Sequence, residues 1–524
     1  MIARRLLPFA ALGAFVVASS ASAPTQEPSA AHHEPIAPPA VAREFRAAWV
    51  TPMPDRGFRD WPSAPGLSAD SQKAELRGLL DRAATLGLNA IILHVRLAGD
   101  ALYPSTYAPW SAALTGRSGG DPGYDPLAYA IAEAHSRGLQ LHAWFNPFRA
   151  LLPNGPTPVA KSHVTRTHAS WIRKYGKQTW IDPGDPAARA FVLQSILDVV
   201  KRYDVDGVHI DDYFYPYRES RTIVRRVHRR RVTTHREIPF PDASTWKKYG
   251  AAKGWKDRDD WRRDNINTFV KSLYDGVKAI KPSVVVGVSP FGIWRPGSPP
   301  GITGLDSYDE LYADSRKWLR EGWLDYVAPQ LYWEVGGNED RFRVLDAWWR
   351  SENPHGRYVW PGLYTSHVYN EPDRWPIDAI AAQIASIRDA RIGSTDPPGH
   401  VHFRLSALTE TDGRLAASVG AMYREPALVP AYPWLGAAVP AAPIVQSAGT
   451  DGGTALSIAP GDSVHVRWWL IQTLGRDSTW ATTLRPANDA SLAVQSLGAA
   501  HALEFAVTAI SPTGIASQPA LLAP

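Results

Sequence analysis

Asp206-Gly207-Val208-His209-Ile210-Asp211-Asp212-Tyr213 decides the fold. Its apolar run is short and stops at two adjacent carboxylates. A run of this kind, separated from its neighbours by helical periods, reads as a strand of a parallel sheet covered on both faces. Working outward, the same texture recurs in eight rounds, with strands expected at 45–50, 89–95, 139–145, 206–210, 283–288, 324–331, 357–363 and 400–405. Helical stretches lie between them. One is 69–87, with Ser68 as N-cap and Gly87 where a C-terminal glycine belongs. The expectation is an α/β chain whose main body is a (β/α)8 TIM barrel with enlarged loops. A doubly wound sheet would need a glycine-rich phosphate loop after the first strand, and Trp49-Val50-Thr51-Pro52-Met53 is not one.

The ends of the chain read differently. Arg4 and Arg5, the apolar run 6–18 and Ala21-Ser22-Ala23 have the layout of a signal peptide over 1–23. That implies an exported protein, periplasmic or extracellular, with no transmembrane segment once the signal is cleaved. Residues 24–42 are rich in Pro and Ala and are expected to form a disordered linker. The barrel is expected over 43–430. Residues 437–524 lose the helical period and show short alternating runs broken by Gly, Asp, Asn and Pro, which suggests a small all-β sandwich. Its ending, 505–517, resembles the last strands of fibronectin type III domains.

Composition narrows the chemistry. With no Cys in 524 residues, disulfides, thiolate metal sites and an N-terminal lipidated Cys are excluded. A net charge of +5 gives no whole-protein field for nucleic acid. The excess is local: 218–236 carries eight Arg against one Glu. Such a run reads as a solvated, mobile loop, or as a feature that attracts an anionic polymer. The 21 Trp suit a cleft that stacks sugar rings, and equally a large barrel that buries them.

In a barrel the site lies at the C-terminal ends of the strands. Residues two apart share a face there, which groups His94 with Arg96, His142 with Trp144 and Asn146, His209 with Asp211, Gln330 with Tyr332 and Glu334, and His402 with Arg404. Glycoside cleavage needs two carboxyl groups flanking the scissile bond. Asp211 is the first candidate and Glu334 the second. Asp212 points the other way on strand parity; it completes the expected catalytic set, with orienting a neighbour or capping the following turn as its structural role, while Asp100 and Asp314 are weaker alternatives. Tyr213, Trp294, Arg295 and Trp333 complete the expected substrate contacts. No cofactor or metal is called for.

These motifs together resemble the glycosyl-hydrolase-like family ten. The resemblance rests on Phe45-Arg46-Ala47-Ala48-Trp49, Gly99-Asp100-Ala101-Leu102-Tyr103-Pro104, His142-Ala143-Trp144-Phe145-Asn146-Pro147, the strand-four stretch through Pro216, Gly287-Val288-Ser289-Pro290-Phe291-Gly292 and Ala328-Pro329-Gln330-Leu331-Tyr332-Trp333. It implies a (β/α)8 hydrolase of O-glycosidic bonds, and a characterised member acts on peptidoglycan glycan strands stripped of stem peptides. A looser likeness to the amylase strand-four pattern makes Asp211 nucleophile-like and leaves the acid open. The expected function is a glycosidase acting on a polysaccharide, peptidoglycan or a related envelope glycan. The alternatives are a catalytically silent glycan-binding protein and a metal-dependent barrel hydrolase using His94, His142, His209 and Asp211.

Overall fold

The computed structural model describes residues 36–55, 58–227, 230–337, 340–369, 372–409, 412–450, 453–488, 491–493 and 503–522. The expected signal peptide and most of the expected linker lie outside these. The linker's last residues do not hang free: Ala42–Arg43 pairs in parallel with Ala427–Leu428, and Gln472 donates to the Pro39 carbonyl.

The main body is mixed α/β, built on one nine-stranded sheet. Its strands are β1 Phe45–Val50, β2 Ala90–Arg96, β3 Gln140–Phe145, β4 Gly207–Ile210, β5 Val285–Val288, β6 Tyr326–Val327, β7 Tyr358–Val359, β8 Gly362–Leu363 and β9 Gly399–His402. The order across the sheet is β7-β6-β5-β4-β3-β2-β1-β9-β8, and neighbours run parallel. The two outer members, β7 and β8, are parts of one six-residue stretch, 358–363, interrupted by Trp360 and Pro361. Trp360 N–H donates to Val327 on one side, and Pro361 carbonyl accepts from Val401 on the other.

Alternation along the strands sorts the side chains. Phe45, Ala47 and Trp49 of β1 join Ile92, Val285, Tyr326 and Trp360 in one buried cluster on the concave face. Ala48, Val50, Ile91, Leu93, Val208 and Ile210 face outward into a larger cluster with the helices. The concave face is filled by large rings lying over inward glycines. A Cβ on Gly287 would stand 2.0 Å from the Tyr326 ring, and one on Gly399 would stand 2.4 Å from Trp360. The helices start where side chains can accept the first free N–H groups. Ser68, Asp125, Asp185 and Asp257 cap Ala69–Leu86, Pro126–Ser136, Pro186–Arg202 and Arg258–Ile280. Gly87, at φ +92°, ends the first of these. No helix among the described residues is long and apolar enough to cross a membrane.

The C-terminal part is all-β. One antiparallel sheet has the order β10 Ile444–Thr450, β11 Gly453–Ala459, β14 Ser491–Ala493. The other contains β13 Trp480–Pro486, β12 Trp468–Leu474, β15 Glu504–Ile510 and β16 Ala520–Leu522, in that order. Leu456, Ile458, Trp469, Ile471, Phe505 and Val507 form its core. It is anchored at the N-terminal ends of the main strands: Arg467 pairs with Asp206 at 2.8 Å, just before β4, and Trp468 packs with Leu428. Burial opposes ionisation of Asp206, but Arg467 and His135 outweigh it and hold that carboxyl well below the usual range.

The arginine run is a paired hairpin rather than the expected loop. Ser220–Val227 pairs with Arg230–Glu237 as an antiparallel hairpin. Its Thr, Ile and Val residues recur between the arginines, and β-branched side chains favour extended backbone strongly enough to pair the two halves.

Candidate active site

Where β4 ends, strand parity ends with it. Ile210 is the last paired residue, and beyond it Asp211 and Asp212 both turn into the same cavity. This corrects the sequence reading of Asp212 as facing away. The cavity has a volume of about 350 Å3 and opens at the C-terminal ends of the strands.

Asp211 is almost fully buried. Its Oδ2 accepts from Trp144 Nε1 at 3.1 Å and Asn146 Nδ2 at 3.2 Å. Burial, then the charge of Asp212, push its pKa up to about 7. Burial also raises Asp212, but here the Tyr217 hydroxyl donates to the carboxylate and opposes the shift. Asp212 thus ionises first, and its charge helps retain the proton on Asp211. Arg149 supplies the balancing cation. Its guanidinium lies 4.0 Å from the centroid of the Tyr213 ring and favours the charged form of both carboxyls.

The floor is a hydrogen-bonded layer whose proton order follows from one fact: an indole N–H can only donate. Trp49 Nε1 donates to His209 Nε2 at 3.2 Å, so His209 carries its proton on Nδ1 and gives it to the Tyr326 oxygen at 2.9 Å. Tyr326 then donates to His142 Nδ1 at 2.9 Å, leaving His142 Nε2 to donate to Gln140 at 3.3 Å. Burial lowers the pKa of both histidines, which keeps them neutral as this chain requires. His209 and His142 therefore lie beneath the cavity and support it, rather than lining it.

Eight of the expected residues line the cavity: His94, Trp144, Asp211, Asp212, Tyr213, Gln330, Tyr332 and Arg404. His94 stacks on Trp144 at 3.7 Å between centroids and meets Thr51 Oγ1 through Nδ1 at 3.0 Å. Arg404 is fully buried against Asp60 at 2.6 Å. Asn146 acts from behind, through Asp211. Arg96 is buried away from the cavity and donates to the Pro147 carbonyl at 3.4 Å. Trp294 and Arg295 turn to the loop after β5, bonding Asp314 and pairing with Asp309. Asp314 itself is the N-cap of Ser315–Arg320. Trp333 and Glu334 are half-buried and do not line the cavity, and Asp100 caps its own loop by accepting from Leu97 and Ala98. His402 faces outward to Tyr423, and Phe403 takes the inward position.

Sequence reasoning missed Asp55, Arg149 and Tyr217, whereas Tyr364 lies at the strand-seven end where the site was expected. Asp55 is a third acidic group on the rim, in the loop after β1. Arg149 stands only three residues beyond Asn146, so extending each strand end by one turn of loop would have found it. Trp49, Trp144 and Phe403 join the tyrosines in the aromatic lining, in place of the expected Trp294 and Trp333. Tyr332 stacks on Tyr364 at 4.8 Å, and Tyr364 on His367 at 4.9 Å. Among the described residues no group of three or more His, Asp and Glu could hold a metal ion.

A carboxyl that keeps its proton near neutrality beside one that gives it up, under a wall of aromatic faces, is suited to protonating a leaving oxygen while charge develops on a sugar ring. Comparison with known proteins gives the family. Glycosyl hydrolase-like 10 matches residues 44–374 of this chain, which belongs to that family. The glycosyl hydrolase YngK of Bacillus subtilis (strain 168) is 39% identical over 411 residues, 76% of each chain. The glycosyl hydrolase DigH of Escherichia coli (strain K12) is 33% identical over 415 residues, covering 73% of this chain and 90% of its own. Among solved structures, the PgaB (BpsB) glycoside hydrolase domain from Bordetella bronchiseptica aligns over 74% of this chain and 100% of its own, with 15% identity and a TM-score of 0.45. The protein is a glycosyl hydrolase.

Proposed function

We propose that the chain cleaves an envelope polysaccharide, peptidoglycan glycan strands or a close relative, with Asp211 and Asp212 as its working carboxyl pair. The observation that carries this reading is the raised pKa of Asp211, about 7, beside a second cavity-lining carboxylate. Asp211 donates its proton to the glycosidic oxygen as the bond to the anomeric carbon breaks. Asp212, held by Tyr217, carries the negative charge that faces the developing oxocarbenium ion. Tyr332 and Tyr364 offer flat faces to the sugar rings. Glu334 drops out of the catalytic pair, and Asp55 is the next acidic side chain to test.

The scaffold we propose is a closed (β/α)8 barrel, supported by β7 and β8 deriving from one stretch, and followed by a fibronectin type III-like sandwich, supported by the three- and four-stranded antiparallel sheets. The proposed location is outside the cytoplasm, after removal of 1–23. Support comes from the layout of that segment. The test is incubation of the purified protein with peptidoglycan glycan strands, with and without stem peptides, followed by mass analysis. Shortened oligosaccharides from stripped strands are the expected products. Intact strands from both, with cleavage of another polysaccharide, would reassign the substrate.

A further inference from the structure

We propose that the hairpin Ser220–Val227 with Arg230–Glu237 is a docking arm for a carboxylate-bearing polysaccharide, the same strand whose sugar bonds enter the cavity. This rests on the glycosidase reading above.

The arm grows from the cavity wall. Tyr217, which lines the cavity and bonds Asp212, is three residues before the first hairpin strand. Arg218 closes the base against Glu237 at 3.2 Å, and Ile238 N–H donates to the Glu219 carbonyl. Beyond that base the hairpin joins no other sheet. Arg221, Arg231 and Arg236 are exposed, and no ion pair holds them among the described residues.

The register is costly for the fold. Arg221 stands directly opposite Arg236, and like charges facing each other across two strands are destabilising. Nothing in the core gains from the arrangement, whereas an anion between the two guanidiniums would relieve it. Positions 231 and 236 differ by an odd number, so the charge appears on both faces of the ribbon. A flat bilayer would engage one face; a polymer strand can follow both. The run also lacks interleaved aromatics on which nucleobases would stack. Continuity with the cavity and charge on both faces together favour an acidic glycan strand.

The experiment uses the full chain and a triple variant, Arg221→Ser, Arg231→Ser and Arg236→Ser, with Asp211→Asn as a second control. Affinity electrophoresis through polygalacturonate should retard wild type, with retardation fading as salt rises. The triple variant should bind about tenfold more weakly. Neutral dextran should retard none of them. Equal retardation of the triple variant and wild type would overturn the proposal. So would wild-type binding to phosphatidylglycerol vesicles or single-stranded DNA that exceeds binding to polygalacturonate and is lost in the triple variant. Because the readout is binding, failure of the arm is distinguishable from failure of the catalytic reading, which Asp211→Asn tests by turnover.

Discussion

The two ends of the same parallel strands have been filled in opposite ways. Near their N-terminal ends the concave face is packed solid. Phe45 stacks on Trp360 at 4.1 Å, Tyr358 on Trp360 at 4.7 Å, and Trp434 donates to Asp325 at 2.8 Å beneath them. Near the C-terminal ends the same face opens into a cavity lined by carboxylates, tyrosines and arginines. Between the two lies the ordered layer of Trp49, His209, Tyr326 and His142. The packed end gains stability from apolar burial. The open end gives stability up, because a buried carboxyl with a raised pKa opposes folding wherever it must ionise. On the proposed reading, the fold separates what holds it together from what it does, along the length of single strands.

At the open end, Asp212→Asn should lower kcat by about a hundredfold or more while thermal unfolding stays cooperative, since it removes one partner of the proton and charge division. Steady-state rates on a purified glycan check this. At the packed end, Trp360→Ala should destabilise by about 3–5 kcal/mol in denaturant titration. Activity per folded molecule should change little. If both variants lost activity equally and stability equally, the separation of the two ends would be wrong.

The pH profile sharpens the same contrast. A proton donor with a pKa of about 7 implies that kcat/KM falls as pH rises above that value. Smaller still are two side-chain deletions. Tyr332→Ala should raise KM several-fold, the scale of a lost stacking contact of about 1 kcal/mol, with a weaker effect on kcat. Glu334→Gln should leave rate and stability within about 0.5 kcal/mol of wild type, as expected for a half-buried residue away from the cavity.

Much of this was legible from residue order. Continuous apolar runs gave the strand positions, Ser68 and Gly87 gave helix ends, and Asp211 announced itself by terminating an apolar strand. What was not legible falls where periodicity stops. Asp212 shares the cavity because β4 ends at Ile210, and parity cannot be extended past the last paired residue. His402 differs for another reason: it lies within β9, where regular alternation puts Val401 and Phe403 inward and His402 outward, so the expected parity was set on the wrong face. Arg149, Tyr217 and Asp55 come from loops, whose paths no pattern of two or 3.6 encodes. The hairpin was hidden by its charge: eight arginines suggested solvation, while the Thr, Ile and Val between them set the pairing.

In the proposed mechanism Asp211 joins function to stability, so one variant reads both. Its folded pKa is raised, so the folded state holds a proton that the unfolded chain releases between about pH 4 and 7. Stability from this group is lost as pH rises through that window. Asp211→Asn, assayed at pH 8 for glycan hydrolysis and for thermal unfolding in the same buffer, should lose at least about a hundredfold in kcat and unfold at a higher temperature than wild type, by the equivalent of a few kcal/mol. Retained hydrolysis, or a variant less stable than wild type at pH 8, would contradict the assignment of Asp211 as the buried proton donor.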